Sequence, residues 1–344
     1  MPPNSNSRGH RRIPWSFINL VLKYFLPTAG FIYIFYGIHF GRLLRELSNI
    51  NWGLVITAIV FDVISFICQG IQWKWLLAPV TKISTPRAVE AVFAGQLANE
   101  VLPLRVGELF KGYLVSRWTS VDFSSTVPAV LAVRVLDGIW SVVGVWLVAI
   151  FLPVPRGVLV AAFALGMVIL TGILALFYAL SHKQKVLADW AAGKASGERL
   201  LRSIKWLIGI LTTGLQQISM ARYFFHALAF SLLFLFLQTL AFWFVMPAFG
   251  LELSFWIGLA VFLIVHFGTL LPNAPGNIGV YQFFCVIGLA LFGVEKTSAT
   301  GFSLVVFFFL KAPLWIIGFF VITFSGISLS SMHEKIGKWR DEER

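Results

Sequence analysis

Long apolar stretches separated by short polar or basic segments run along this chain, and their length predicts helices that cross a bilayer. Tyr223 to Met246, and Phe302 to Phe324 with Lys311 as its single charge, each exceed the roughly 20 residues a helix needs to span the hydrocarbon core. Both stretches are apolar on every face, whereas the strands of a transmembrane barrel alternate polar and apolar positions. A first span is expected over Phe17–Phe40, too long for a signal-peptide core, with Lys23 close enough to its start to snorkel. A loop, Gly41–Asn51, then leads to a second span, Trp52–Leu77, whose end carries Trp73, Lys74 and Trp75 as interfacial residues. Further full spans are predicted over Ser124–Phe151, Arg156–Leu180, Tyr223–Phe249 and Ala299–Ser325.

Two stretches break this pattern. From Arg87 to Trp118, an apolar half-helix reaches Leu102-Pro103, after which Arg105, Glu108 and Lys111 follow within one short helix. From Phe255 to Gly293, the run stops at Leu271-Pro272-Asn273-Ala274-Pro275-Gly276-Asn277-Ile278-Gly279 and resumes at Val280. Proline removes a backbone donor and clashes with the preceding turn, so neither stretch continues as one helix. Half-helices joined in this way are tolerated at membrane depth only where protein or water covers the broken backbone. Both stretches are read as re-entrant helical hairpins.

Charge orients these elements. Charged residues make up 12% of the chain and apolar residues 58%, which excludes a soluble fold. The net charge of +12 resides largely in tails and loops, where it reads as a topology signal, not as a nucleic-acid footprint. The basic tail 1–16, the segment Ser181–Arg222 and the tail 326–344 are all placed in the cytoplasm, so 17–325 forms a single transmembrane domain with both termini inside. Within 181–222, Leu200, Leu201, Ile204, Leu207, Ile208, Leu211 and Leu215 recur at helical spacing, the pattern of an interfacial helix or of one packed on neighbouring spans.

The resulting fold class is an all-α polytopic membrane protein with about six full spans and two re-entrant hairpins. Span, hairpin, span over 52–151 recurs upside down over 223–325, an inverted repeat of the kind that builds secondary transporters.

Ionisable groups inside a bilayer are costly and therefore candidates for function. They are Asp62, Glu100, Arg105, Glu108, Lys111, Arg134, Asp137 and Lys311. Arg134 and Asp137, three apart, share a helical face and can pair, either as structure or as part of a site. Arg105 and Glu108 stand in the same relation just after the first break, where unpaired backbone N–H groups suit an anionic head group. In the second break Gly276, Asn277, Ile278 and Gly279 supply N–H donors, with Asn273, Asn277, Tyr281 and Gln282 as neutral side chains able to recognise phosphate or sugar. Asn273 serves equally well as a helix cap. Lys311 requires a partner, with Asp137 the first expectation and Asp62 the second; His266 reads as a packed neutral histidine. Cys68 and Cys285 have no metal-ligand or disulfide spacing, and the chain has no nucleotide loop or nucleophile elbow, so no metal and no cofactor are expected.

The run Asn99-Glu100-Val101-Leu102-Pro103-Leu104-Arg105-Val106-Gly107-Glu108, followed by Arg134-Val135-Leu136-Asp137, resembles the lysylphosphatidylglycerol synthase transmembrane family, also called flippase-like. The later Leu271-Pro272, Gly276, Gly279 and Gln282 resemble its proline- and glycine-rich motif. The resemblance implies a plasma-membrane protein, here of the bacterial inner membrane, in a stand-alone form without the aminoacyltransferase domain that some relatives carry. It implies functional positions at Asn99, Pro103, Arg105, Gly107, Glu108, Arg134, Asp137, Pro272, Gly276 and Gly279. Two departures are Gln282, where relatives often have an acidic residue, and Asn277, where a glycine is common.

The function expected from residues and resemblance together is movement of an anionic or glycosylated lipid, of isoprenoid or hopanoid-related type among others, between leaflets. Asn99, Pro103, Arg105, Gly107, Glu108, Arg134, Asp137, Pro272, Asn273, Gly276, Asn277, Gly279, Gln282 and Lys311 would form the substrate site, with no catalytic residues. The rivals are a membrane-embedded transferase using Glu108 or Asp137 as a base, and a non-catalytic partner of lipid-biosynthetic enzymes. A homodimer is compatible with all three readings, and no nucleic-acid partner is expected.

Overall fold

The computed structural model describes residues 28–101, 107–153, 221–270 and 275–324, together with the isolated positions 160 and 167. Among the described residues every regular element is helical. The predicted span Arg156–Leu180 apart from those two positions, the amphipathic segment 181–222 apart from its last two residues, and both tails lie outside them.

Residues 28–35 are helical, and the chain then turns at Tyr36 and Gly37, where φ is +73°. The first span therefore ends short of Phe40. The expected loop Gly41–Asn51 is instead largely a helix, α1 (Phe40–Ser48), whose Leu43 is buried while Phe40 and Leu44 are exposed. Its polar residues hid the periodicity. Arg42 bridges Glu46 at 2.9 Å and Glu295 at 2.7 Å, and Ser298 Oγ donates to Glu46 at 2.7 Å. These contacts fasten α1 to the start of the last helix.

The span α2 (Trp52–Leu77) starts at Asn51, whose side chain accepts from the N–H groups of Gly53 and Leu54. Ile56, Val60, Ile64 and Ile67, one stripe of α2, are all exposed, as expected of a face turned to lipid. The first interrupted stretch forms α3 (Thr85–Val101) and α4 (Gly107–Thr119), followed by α5 (Phe123–Phe151). The second half runs α6 (Ala221–Ala248), α7 (Phe255–Thr269), a short 3-10 turn (Pro275–Asn277), α8 (Val280–Ala290) and α9 (Lys296–Phe324). Four of these helices, α2, α5, α6 and α9, are long and apolar enough to cross a membrane.

The helix order long, short, short, long occurs twice, and the pairings are reciprocal. The spans α2 and α6 pack on each other along their length. The short helix α3 packs on α9, while its counterpart α7 packs on α5. Within each half α3 pairs with α4 and α7 with α8. Each hairpin is also the centre of an apolar cluster. Phe66, Trp73, Phe93, Phe110 and Leu136 surround the first, and Phe242, Val261, Cys285, Phe302 and Val306 the second.

Lipid tails are as apolar as these side chains, so close packing rather than escape from water holds the helices together. The α3–α4 contact is the tightest case: a Cβ added at Gly107 would fall on the carbonyl oxygen of Gly95. The α9–α3 crossing is similar, with a Cβ at Gly318 falling 2.6 Å from the Phe93 carbonyl.

Candidate functional site

Each hairpin tip is held by a polar side chain bonded to backbone. In the first, Asn99 on α3 accepts a hydrogen bond of 2.8 Å from the N–H of Gly107, the first residue of α4. In the second, the backbone takes left-handed values at Gly276 (φ +77°), Asn277 (+55°) and Gly279 (+85°), which the two glycines adopt without a Cβ penalty. The N–H of Gly279 donates to Gln282 Oε1 at 2.7 Å, closing the N-terminus of α8. Gln282 is therefore a buried cap and does not line the cavity, and Asn99 holds a helix start while also lining it.

The two tips meet. Glu100, the last residue but one of α3, has its Oε2 only 3.5 Å from the point where a Cβ of Gly276 would stand. Its other oxygen forms an ion pair with Lys311 of α9. The expected partner of Lys311, Asp137, is thus corrected to Glu100. The reason is the exchange of helices between halves: α9 lies against α3, which brings Lys311 to the tip of the first hairpin, while Asp137 faces Arg134 on its own helix.

A second charged group sits beside this pair. Glu108 is held by Lys111 at 2.5 Å and by Arg134 at 2.5 Å, and Arg134 reaches Asp137 at 3.7 Å. The predicted Arg134–Asp137 pair therefore forms, as the longer of the two contacts of Arg134. Lys111, 3% exposed, also lies 4.8 Å from the ring centre of Trp73, a cation–π contact that supports an ammonium with little water around it. The two carboxylates and two cations of this group balance. Breaking such a set by removing one partner typically costs about 3–5 kcal/mol, because the remaining charge is left buried alone.

These groups border a cavity of about 170 Å³ between the two halves. That volume holds several waters or a small polar group and is far too small for a whole lipid. The walls carry Asp62 and Gln69 from α2, Gln96, Asn99 and Glu100 from α3, Arg134 and Asp137 from α5, and Gln238 from α6. His266 and Thr269 of α7, Asn277, Tyr281 of α8 and Lys311 of α9 complete the polar lining. Gln96 and Gln69 hydrogen-bond each other across α3 and α2 at 3.4 Å. Three buried carboxylate oxygens around the cavity, Asp62 Oδ2, Glu100 Oε2 and Asp137 Oδ1, have no hydrogen-bond partner.

Of the residues predicted for the site, Asn99, Arg134, Asp137, Asn277 and Lys311 line this cavity. Gly107, Glu108, Gly276 and Gly279 belong to the hairpin tips and the charged group beside it, behind the wall. Pro103, Arg105, Pro272 and Asn273 lie outside the described residues; among the described residues Arg134 and Lys111 are the cations on Glu108. Sequence reasoning singled out Asp62 and Glu100 as charges inside the membrane but left them out of the site. It missed Gln69, Gln96, Gln238 and Thr269, whose signal was an amide or hydroxyl side chain inside an otherwise apolar helix.

Comparison with known proteins points to a membrane-protein family. The profile of the family described as the lysylphosphatidylglycerol synthase TM region matches residues 18–318. The chain is also 24% identical over 316 residues to a protein described as a UPF0104 membrane protein from Methanothermobacter thermautotrophicus, an alignment covering 88% of this chain and 90% of that one.

Proposed function

This chain belongs to the lysylphosphatidylglycerol synthase transmembrane family, and we propose that it is a flippase that moves an anionic or glycosylated lipid between the leaflets of the bacterial plasma membrane. The observation that carries this reading is the polar cavity at the junction of two interrupted hairpins, lined from α2, α3, α5, α6, α7, α8 and α9 in a protein otherwise apolar. Polar and ionisable groups facing a bundle interior mark a substrate path by default. Paired interrupted segments are where transporters built from repeats hold their substrate.

In this reading both hairpins are re-entrant and the halves 52–151 and 223–325 form an inverted repeat, with both termini in the cytoplasm. The reciprocal pairings α3 on α9 and α7 on α5 support it. The head group enters the cavity while the acyl or isoprenoid tails stay in lipid, which the small cavity volume favours. Arg105, Arg134 and Lys311 are the cations for a phosphate, and Asn277 supplies a neutral donor for phosphate or sugar. Gln282 and Asn99 act on the substrate through the hairpin tips they hold. The chemistry is non-covalent. A transferase would need a nucleophile beside its base, and of the two candidate bases Glu108 is clamped between two cations while Asp137, on the cavity wall, faces Arg134.

The test is a leaflet-exchange assay in proteoliposomes of phosphatidylethanolamine and phosphatidylglycerol. One arm carries NBD-labelled phosphatidylglycerol and the other an NBD-labelled glycolipid, with dithionite quenching the outer leaflet. The wild type should expose inner-leaflet probe in at least one arm, and Lys311→Met and Arg105→Ala should abolish the exchange at unchanged reconstitution. Exchange in neither arm, or exchange equally fast in both variants, would overturn the transport reading.

A further inference from the structure

We propose that Asp62 is a proton-binding site of the cavity, its carboxylate competing with that of Glu100 for the one ammonium of Lys311. Asp62 sits near the middle of α2, 4% exposed, on the cavity wall, and its Oδ2 has no hydrogen-bond partner. Gln238 of α6 and Lys311 of α9 stand on the same cavity wall, the first as a hydrogen-bond partner of the Asp62 side chain and the second as the cation whose charge acts on it. That ammonium is already paired with Glu100.

The groups facing Asp62 from the surrounding helices account for every other cation described there. From α5, Arg134 is held between Glu108 and Asp137; from α4, Lys111 is held by Glu108. From α3 come Gln96, Asn99 and Glu100, from α7 His266, and from α8 Tyr281, which feels both Asp62 and Glu100. Lys74 of α2 is hydrogen-bonded to Thr85, and His226 of α6 stacks with Trp75, both at the far end of α2. Among the described residues one ammonium therefore serves two buried carboxylates.

An unmatched charge at this depth is costly, and the cheapest relief is a proton. A metal ion is the poorer choice, because among the described residues no three acidic, histidine or cysteine side chains come together to ligate one. In the arrangement seen here Lys311 holds Glu100 against the second hairpin tip and the proton belongs to Asp62. When Lys311 swings to Asp62, the proton leaves Asp62, and Glu100, released from α9 and without its cation, takes one up in its place. Which of the two carboxylates carries the proton is thereby tied to whether the two hairpin tips are clasped together. As a coupling device this rests on the transport reading above; as a proton site it does not.

The test is infrared spectroscopy of the full chain in a lipid film at neutral pH, reading the carbonyl stretch of a protonated carboxylic acid. Wild type should show one such band, lost in Asp62→Asn. Lys311→Met should add a second band of comparable intensity from Glu100, absent again in the Glu100→Gln, Lys311→Met double variant. Labelling wild type with aspartate carrying carbon-13 in its side-chain carboxyl should shift the original band to lower frequency, and this arm needs no substitution that could impair folding. A wild type without the band, a band that ignores the label, or no gain in Lys311→Met would overturn the proposal. So would a band lost when sodium chloride replaces choline chloride, since that assigns a metal cation. No lipid has to move in this experiment, so an inactive protein with an intact band would sink only the transport reading.

Discussion

Replacing Lys311 with Met removes the ammonium that clasps Glu100, and its effect on stability can be worked from the structure. The Glu100 side chain is 8% exposed and that of Lys311 is 23% exposed, so the carboxylate carries most of the desolvation. Its Oε2 already has no hydrogen-bond partner. Losing the cation therefore forces Glu100 either to stay buried without a counter-charge or to take up a proton at neutral pH, a situation that typically costs about 3–5 kcal/mol. Removing both charges, with Glu100→Gln added, leaves no charge to strand, and the double variant should lie within about 1–2 kcal/mol of wild type. The coupling energy of the cycle should thus be about 2 kcal/mol or more.

Unfolding in mixed SDS micelles measures the free energies. A thiol-reactive fluorophore reports the transition through Cys68 and Cys285, which are free and buried in the native fold. If Lys311→Met shifted stability by less than about 0.5 kcal/mol, the range of ordinary surface substitutions, the clasp would be incidental and the argument wrong. If the single effects were additive in the double variant, Lys311 and Glu100 would not be partners.

Three further predictions follow from the helix contacts. Gly107→Ala places a methyl where Gly95 carbonyl oxygen and Asn99 already stand, so the hairpin must open, at a cost of about 1–3 kcal/mol or more, visible as an earlier thiol-labelling transition. Gln282→Leu leaves the buried N–H of Gly279 without its acceptor and should cost about 1–3 kcal/mol in the same measurement, although Gln282 touches no part of the cavity. Arg42→Ala removes bridges to Glu46 and Glu295 from a half-exposed side chain and should change stability by no more than about 1 kcal/mol, a loss that shrinks further in high salt. A large effect of Arg42→Ala would mean that α1 does more than anchor the start of α9.

Much of the architecture was legible along the chain because its causes are local. Trp52–Leu77 could be bounded from hydropathy and a polar Asn51, and the breaks in both hairpins from Pro103, Pro272, Pro275 and Gly276, since proline and glycine act on the backbone wherever they stand. The charges inside the membrane were visible as soon as the spans were. The reading failed locally at Phe40–Ser48, where an amphipathic helix one turn from a chain reversal looks like a polar loop.

What the residues do to one another was set by which helices cross. Lys311 lies on the last span, and nothing near it in sequence points to Glu100; the contact exists because α9 crosses to the other half and rests on α3. Arg134 has an acidic neighbour three positions along its own helix, yet makes its shorter contact with Glu108 of α4. Gln282 looked like a ligand for substrate and became a cap, because its side chain folds back on Gly279 before it can reach the cavity. Helix formation and breakage follow from forces that act within a few residues, whereas the pairing of buried charges depends on distances set by the whole bundle.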